Sequence, residues 1–557
     1  MSEDALSPVQ RRPQVPARLR AWLMGRDRGA LAILALFVLL LPISLPRIYA
    51  TDEVQYYAYL RSFYFDGDLD FRNEYEHFAQ LGEQQNPPDP AVRNALLRED
   101  ALNPNPRTGK LRNVAPIGSS ILWSPGFVLA DAGVLLARAL GSSVARDGYS
   151  RPYIWAVCFM SALYALGGLL LSYRLARRYA GPFAAALATV GVWLASPLLM
   201  YTYILMPWSH PAGFFLFALV LTLWLAIRDR AATGAPTLHL WALLGLAAGL
   251  MTITREQLGL LLLIPAVDAL ANYVELFRRR EWTAARALVL RHALFLALFV
   301  LALVPQLLVY QVLNGRPAPS ATVGGKLVWC SPHFLDTLVD FDPRPSPFCP
   351  LPGDISANFP PFAHGAFLWA PILVPGLLGL VLLARRDRRL ALLLLLGFVA
   401  QTYINGAFGT TWHLTRSFGF RRLIECTPIF VLGLSALIEW WGARGRRALP
   451  VTLVAFLIYW NIALIAQWTF VRPALRNGLV WDGMLHAQFV EVPGRVVGKL
   501  DDVLFHRCRL ASNKTCWPQP DDRPPTTDDG NIFTTETQSH GGLGLQVPSL
   551  KVHKFKG

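Results

Sequence analysis

Charge is what this 557-residue chain has least of: only 16% of its side chains are charged, against roughly a quarter in a typical globular domain. Hydrophobic residues make up 53% of it. They are concentrated in runs such as 31–45, 258–264, 295–303 and 390–396. These runs exclude a disordered or fibrous chain. They also exclude a string of soluble domains, because they recur through most of the length and read as bilayer spans of about 20 residues each. Lysine is scarce as well, only seven of the 52 basic residues, the rest being arginine. A formal charge of +15 would point to nucleic acid in a soluble protein, but in a chain of spans the placement of arginine carries the information, and no nucleic-acid partner is expected. Cysteine is sparse, and no spacing resembles a zinc motif. No repeat of 20–50 residues is present. The sequence predicts an all-α polytopic membrane protein.

Charge placement sets the expected topology. Arg11, Arg12, Arg18, Arg20, Arg26 and Arg28 precede the first apolar run. This reads as a retained first span with a basic cytoplasmic N-terminus, 1–29, rather than as a cleaved signal peptide. Further basic clusters recur at every second boundary: Arg174/Arg177/Arg178, Arg228/Arg230, Arg278–Arg280 with Arg286 and Arg291, 385–389, and Arg444/Arg446/Arg447. With all of these in the cytoplasm, spans fall near 154–173, 182–200, 211–227, 238–253, 258–276, 293–313, 366–384, 390–407, 423–441 and 449–470. With the first span they make eleven and place the C-terminus outside. The apolar stretch 119–140 would invert that parity if it crossed, so it is expected to be a re-entrant or interface helix, as Pro125, Asp131 and Arg138 suit. The transmembrane body is then 30–470, with large external loops at 48–152 and 314–363. An external polar tail, 471–557, has a final stretch after about 517 that is low in hydrophobics and expected to be disordered. Cys158 and Cys426 fall in spans. Cys330 and Cys349 share one external loop and Cys508 and Cys516 share the tail, so two external disulfides fit an oxidising compartment, with their connectivity open.

The chemistry-bearing residues cluster on the external side. Asp52 and Glu53 follow the first span directly, where carboxylates are costly to desolvate unless used or paired. On a helix they point about 100° apart, which suits different tasks: one as general base, the other orienting a neighbour. The plainer reading is an acidic helix start. Asp66, Asp68 and Asp70 fail as a calcium loop, since Phe71 stands at the glycine position and His77 at the twelfth; a solvated acidic turn is expected. Several cations break the charge rule: Arg255 at the outer end of one span, His413, Arg416, Arg421 and Arg422 in the outer loop 405–422, and Lys110 with Arg112 in the first loop. External cations at the interface suit a phosphate, for which arginine's planar fork is matched. The alternatives are anionic headgroups or pairing with Glu256 and Glu425. In the external turn 206–214, Trp208 reads as an interface anchor and His210 either as a site residue or as a polar turn residue. Trp412, beside His413, is a further contact for donor or acceptor.

These residues, in this order, resemble the GT-C glycosyltransferase superfamily, nearest to its protein O-mannosyltransferase and aminoarabinose–lipid A transferase branch. The resemblance rests on the Asp52–Glu53 pair after span one and on the long loop with interface helices. It extends to RRYAGPFAAALATVGVWLASPLLMY, GLAAGLMTITREQLGLLLLIP, HGAFLWAPILVPGLLGL and RSFGFRRLIECTPIFVLGLSALIE, and covers about 30–470. It implies a bundle of about eleven transmembrane helices that takes a sugar from a polyprenyl-phosphate donor, inverts its anomeric centre and passes it to a hydroxyl of a lipid, glycan or protein. By matching position, Asp52 is the implied base with Glu53 in support. Arg255, Arg416, Arg421 and Arg422 would hold the donor phosphate, with Lys110 and His413 behind them and His210 or Trp412 contacting donor or acceptor. Neither cofactor nor metal is implied. One departure is plain: many members carry a second acidic residue in the turn between the third and fourth spans, where this chain offers only His210. The composition leans toward a bacterial inner membrane, with the site on the periplasmic face. The competing readings are a lipid-linked sugar flippase, which would place ionisable groups along a path through mid-membrane, and a non-catalytic scaffold of the same fold.

Overall fold

The computed structural model describes residues 27–48, 50–83, 104–339, 349, 365–408, 411–414, 417–471, 475, 478–498 and 505. Among them every regular element is helical. The chain runs through α1 (Arg28–Leu40), α2 (Thr51–Arg61), α3 (Arg72–Glu83), α4 (Gly118–Ala139), α5 (Arg151–Ala176), α6 (Pro182–Leu194), α7 (Leu198–Tyr203) and α8 (Ser209–Ala232). It continues through α9 (Leu238–Thr254), α10 (Leu263–Arg278), α11 (Trp282–Asn314), α12 (Leu373–Leu383), α13 (Arg388–Ala407), α14 (Thr427–Gly442) and α15 (Ala448–Ala466). Among the described residues eight helical stretches are long and apolar enough to cross a membrane, and four shorter apolar helices accompany them. Seven of the eight coincide with expected spans and the eighth is α4; the other four expected spans fall on the shorter helices. The chain is a multi-pass α-helical membrane protein.

Two expected spans are interrupted. Residues 182–200 break after Leu194, where Ser196–Pro197 starts the separate α7, and 366–384 breaks at Ala370–Pro371, ahead of α12. Proline has no N–H to continue the helical ladder, and it disfavours the α conformation of the residue before it. Conversely, α11 starts eleven residues earlier than the expected 293, at Trp282. Small residues let helices meet closely: on α12 and α14 a side chain at Gly379 would collide with the Gly433 carbonyl, the usual use of glycine between membrane helices.

Ion pairs tie the arginine-rich helix ends together at one end of the bundle. Arg177 faces Asp27 at 3.7 Å, Arg178 bonds Asp229 at 2.5 Å, Arg228 faces Asp387 at 3.6 Å, and Arg389 meets Asp268 at 2.5 Å. The course of α4 follows from that reference. It lies antiparallel to α5, with Tyr164 OH donating to the Leu122 carbonyl at 2.8 Å and Tyr153 OH to Asp131 at 2.7 Å. Because α5 runs toward the arginine-rich end, α4 runs away from it. Its first residue, Gly118, abuts the backbone of Ile253 and Thr254 at the far end of α9. Despite its length and apolarity, α4 therefore starts level with that far end and leaves it outward.

The acidic turn after α2 is closed rather than open. Asp66 pairs with Arg61 and accepts from Asn73, while Asp68 accepts from Ser62 at 2.8 Å and from the Asp70 amide. Cys330 and Cys349 are disulfide-bonded; Cys508 and Cys516 lie outside the described residues.

Candidate active site

At the end of the bundle opposite the paired arginines, four chain breaks converge. α2 opens with Asp52 and Glu53 in its first turn, and α8 opens with Ser209 and His210 after the extended Trp208. α9 stops at Arg255, which is extended before a 3₁₀ turn, Glu256–Leu262, leads into α10. A second 3₁₀ turn, Arg421–Cys426, precedes α14 and carries Arg421, Arg422 and Glu425. Helix breaks at membrane depth are where backbone and charged side chains gain access to a cavity, and their recurrence here gives each polar group a short tether.

The geometry joins most of the expected residues. Arg421 Nη2 donates to Asp52 Oδ2 at 2.9 Å, and its guanidinium lies 4.0 Å from the centre of the Trp208 ring, a cation–π arrangement. Arg255 Nη1 donates to Ser209 Oγ at 3.0 Å, and Ser209 donates to Tyr56 OH at 3.0 Å. Arg255 Nε and His210 Nδ1 both meet one oxygen of Glu425, at 3.0 and 2.9 Å. Arg422 donates to Thr411 Oγ1 at 3.1 Å and lies over the Phe408 ring. A side chain at Gly213 would press within 3.0 Å of Glu425, so the missing Cβ gives that buried carboxylate its room.

The adjacent carboxylates face different surroundings. Asp52 is about half exposed, with 45% of its side chain accessible. Glu53 is buried and accepts the Ala50 amide at 2.9 Å, closing the first turn of α2. Burial pushes the Glu53 carboxyl up to about 7, with the Ala50 amide and the Arg47 charge pulling the other way.

Other expected residues lie elsewhere. Lys110 closes a turn with Asn105 that docks on the Leu313 carbonyl at the end of α11. Its charge acts on Asp68, and no described contact joins it to the arginines. Trp412 stacks on His333 at 4.3 Å, with the His413 ring against it; the two follow Thr411, the acceptor of Arg422. Arg416 lies outside the described residues. Glu425 takes Arg255, whereas Glu256 accepts from Tyr310.

No family model matches this chain, and no curated protein matches it. Among solved structures it is similar to ArnT from Cupriavidus metallidurans in the apo state, at 17% identity and a TM-score of 0.42, covering 89% of this chain and 78% of that one. It is also similar to ArnT from Cupriavidus metallidurans bound to undecaprenyl phosphate, at 16% identity and a TM-score of 0.41, covering 88% and 78%.

Three guanidiniums thus share one neighbourhood with two carboxylates, Asp52 and Glu425, beside the buried Glu53. Arg422 makes no ion pair among the described residues: the charges of Arg255 and Arg421 oppose its own, those of Asp52 and Glu425 favour it, and its Nη1 is buried with no hydrogen-bond partner among the described residues. His210 Nε2 and Glu425 Oε2 are likewise buried and unpartnered. Buried donors left over in a cationic group suit an anion with several acceptor oxygens. Tyr56 and Ser209 were not singled out from the sequence, although Tyr56 stands four residues after Asp52, on one helix face, and Ser209 adjoins His210.

Proposed function

We propose that this chain is an inverting glycosyltransferase that moves a sugar from a polyprenyl-phosphate donor to a hydroxyl acceptor at the outer membrane face. The observation that carries the reading is the convergence of a half-exposed carboxylate, Asp52, with the cations Arg421, Arg255 and Arg422 at the bundle end opposite the paired arginines. In this reading Asp52 accepts the proton of the acceptor hydroxyl as its oxygen attacks the anomeric carbon. The bond from that carbon to the phosphate oxygen breaks on the opposite face, and its electron pair leaves with polyprenyl phosphate. The negative charge gathering on the phosphate is met by Arg255 and Arg422, held in place, and by Arg421, which moves to it. Asp52 then returns its proton to water. Arg421, bonded to Asp52 in the resting site, is drawn to the donor phosphate and frees the carboxylate, so the base is released only when donor is bound. Glu425 holds Arg255 and His210 in place, and Glu53 fixes the turn that carries Asp52.

The test is lipid extraction from cells lacking the gene and from the same cells expressing wild type or Asp52→Asn. Polyprenyl-phosphate sugar should accumulate without the gene and with the variant, and be cleared by wild type, its mass naming the sugar. Clearance by Asp52→Asn equal to wild type would remove Asp52 as the base. Absence of any accumulation would favour the transporter or scaffold readings.

A further inference from the structure

A cavity of about 320 Å³ opens at the arginine-rich end, far from the site above, and its polar walls are Arg228, Asp268, Asn272, Glu275 and Arg389. Arg228 lies 19 residues along α8 from Ser209, about 29 Å at 1.5 Å per residue. That is the thickness of a bilayer's hydrocarbon core, so the cavity lies at headgroup depth on the opposite face.

Its floor is a settled pair. Asp268 is buried, accepts the Trp224 indole N–H at 3.1 Å, and meets Arg389 Nε at 2.5 Å, while Arg389 Nη2 donates to Asn272 at 2.8 Å. With that pair neutralised, the walls keep Arg228 and Glu275, each with an ion-pair partner outside the cavity lining, Asp387 and Arg279. Arg228 has a loose contact, 3.6 Å, to Asp387, and its Nη1 is buried without a hydrogen-bond partner among the described residues. Glu275 is exposed and shares its carboxylate with Arg279. The cavity face of α10 carries Asp268, Asn272 and Glu275. A second stripe of the same helix, Val267, Leu270, Val274 and Phe277, is apolar and exposed. A polar pocket beside an apolar stripe on one helix suits a ligand with a charged head and an acyl tail.

We propose that this cavity binds a phospholipid whose headgroup carries both a phosphate and a primary ammonium. The phosphate meets Arg228, the ammonium meets Glu275, and the tails lie along Val267, Leu270 and Val274. The balanced walls favour a zwitterion: an anionic head would leave Glu275 facing like charge, and a quaternary ammonium cannot donate a hydrogen bond to it. The inference is independent of the proposed transfer reaction.

The full chain in detergent, titrated with phosphatidylethanolamine, phosphatidylcholine, phosphatidylglycerol or free phosphoethanolamine, tests it by native mass spectrometry. Phosphatidylethanolamine should be retained most strongly and free phosphoethanolamine much more weakly. Arg228→Gln and Glu275→Gln should each weaken phosphatidylethanolamine retention by about tenfold, as for one charge-assisted contact. If Arg228→Gln does not fold, the exposed Glu275→Gln carries the test alone. Equal retention of phosphatidylglycerol or phosphatidylcholine, or variants that bind as wild type, would overturn the proposal. Phosphoethanolamine binding as tightly as the lipid would also overturn it, assigning the cavity to a soluble headgroup.

Discussion

Asp131 and Asp52 both face an arginine outside the arginine-rich end, and they differ in what is left over. Asp131 is buried and saturated: Arg146 donates twice at 2.9 Å, Tyr64 at 2.9 Å and Tyr153 at 2.7 Å. Asp52 makes one described side-chain bond, to Arg421, and keeps a large exposed surface. A carboxylate whose lone pairs are all used is an anchor, here holding α4 against α5. One with a single cationic partner and open space retains capacity for a further proton or ligand. In the sequence both fall in the first loop, Asp52 as the implied base and Asp131 only as a residue that suits an interface helix, with nothing to show how many partners each has.

The largest effect that would sharpen this contrast is at Asp52. Asp52→Asn should lower turnover by about 10³-fold, within the range of a lost general base, and leave the thermal midpoint near that of wild type. A reconstituted assay of polyprenyl phosphate release checks it. Asp131→Ala should do the reverse, costing about 3 kcal/mol of stability by stranding Tyr64, Tyr153 and Arg146, while turnover per folded molecule stays unchanged. If Asp131→Ala instead removes turnover from a protein that melts normally, the distinction between anchor and site fails.

A smaller effect belongs to Arg422. Arg422→Gln should weaken donor binding by about tenfold, one lost charge-assisted contact, and lower turnover at saturating donor far less than Asp52→Asn does. Donor titration of the two variants side by side reads this. Unchanged donor affinity in Arg422→Gln would mean that its charge serves the fold.

How much of this was legible in the sequence depends on the distance over which the physics acts. The spans were, because a bilayer demands long apolar runs and each run is local. So was the membership of Arg255, Arg421 and Arg422 in one neighbourhood, since arginine on the external side is costly unless paired. The joining of those residues was not. The Arg421–Asp52 bond crosses 369 residues and the His210–Glu425 contact 215, and no local pattern encodes such pairings. Lys110 breaks the charge rule as they do, yet its charge acts on Asp68 instead, because the rule reports depth and says nothing of lateral position. The breaks at Pro197 and Pro371 were visible as prolines, but composition alone read through them.

The smallest effect separates the two adjacent carboxylates. In the folded chain Glu53 holds its proton up to about 7, against an ordinary value of 4.5. Between those values the folded state binds more protons than the unfolded one, so Glu53 makes stability fall as pH rises from about 4.5 to about 7 and adds no further slope above. Glu74, raised to about 7 by burial despite its bond to Arg61, contributes with the same sign. Glu53→Gln keeps an oxygen for the Ala50 amide and removes only the titration. Its apparent melting temperature should therefore decline less steeply than wild type across pH 5 to 7, with the Glu74 share remaining, and its turnover should stay within about threefold, since a neutral acceptor still holds the turn. Melting curves at four pH values and one rate measurement decide it. A variant with wild-type slope would mean that Glu53 is solvated. A variant as inactive as Asp52→Asn would move the base from the exposed carboxylate to the buried one, because only a proton acceptor, and not a cap, is lost when oxygen is kept and charge removed.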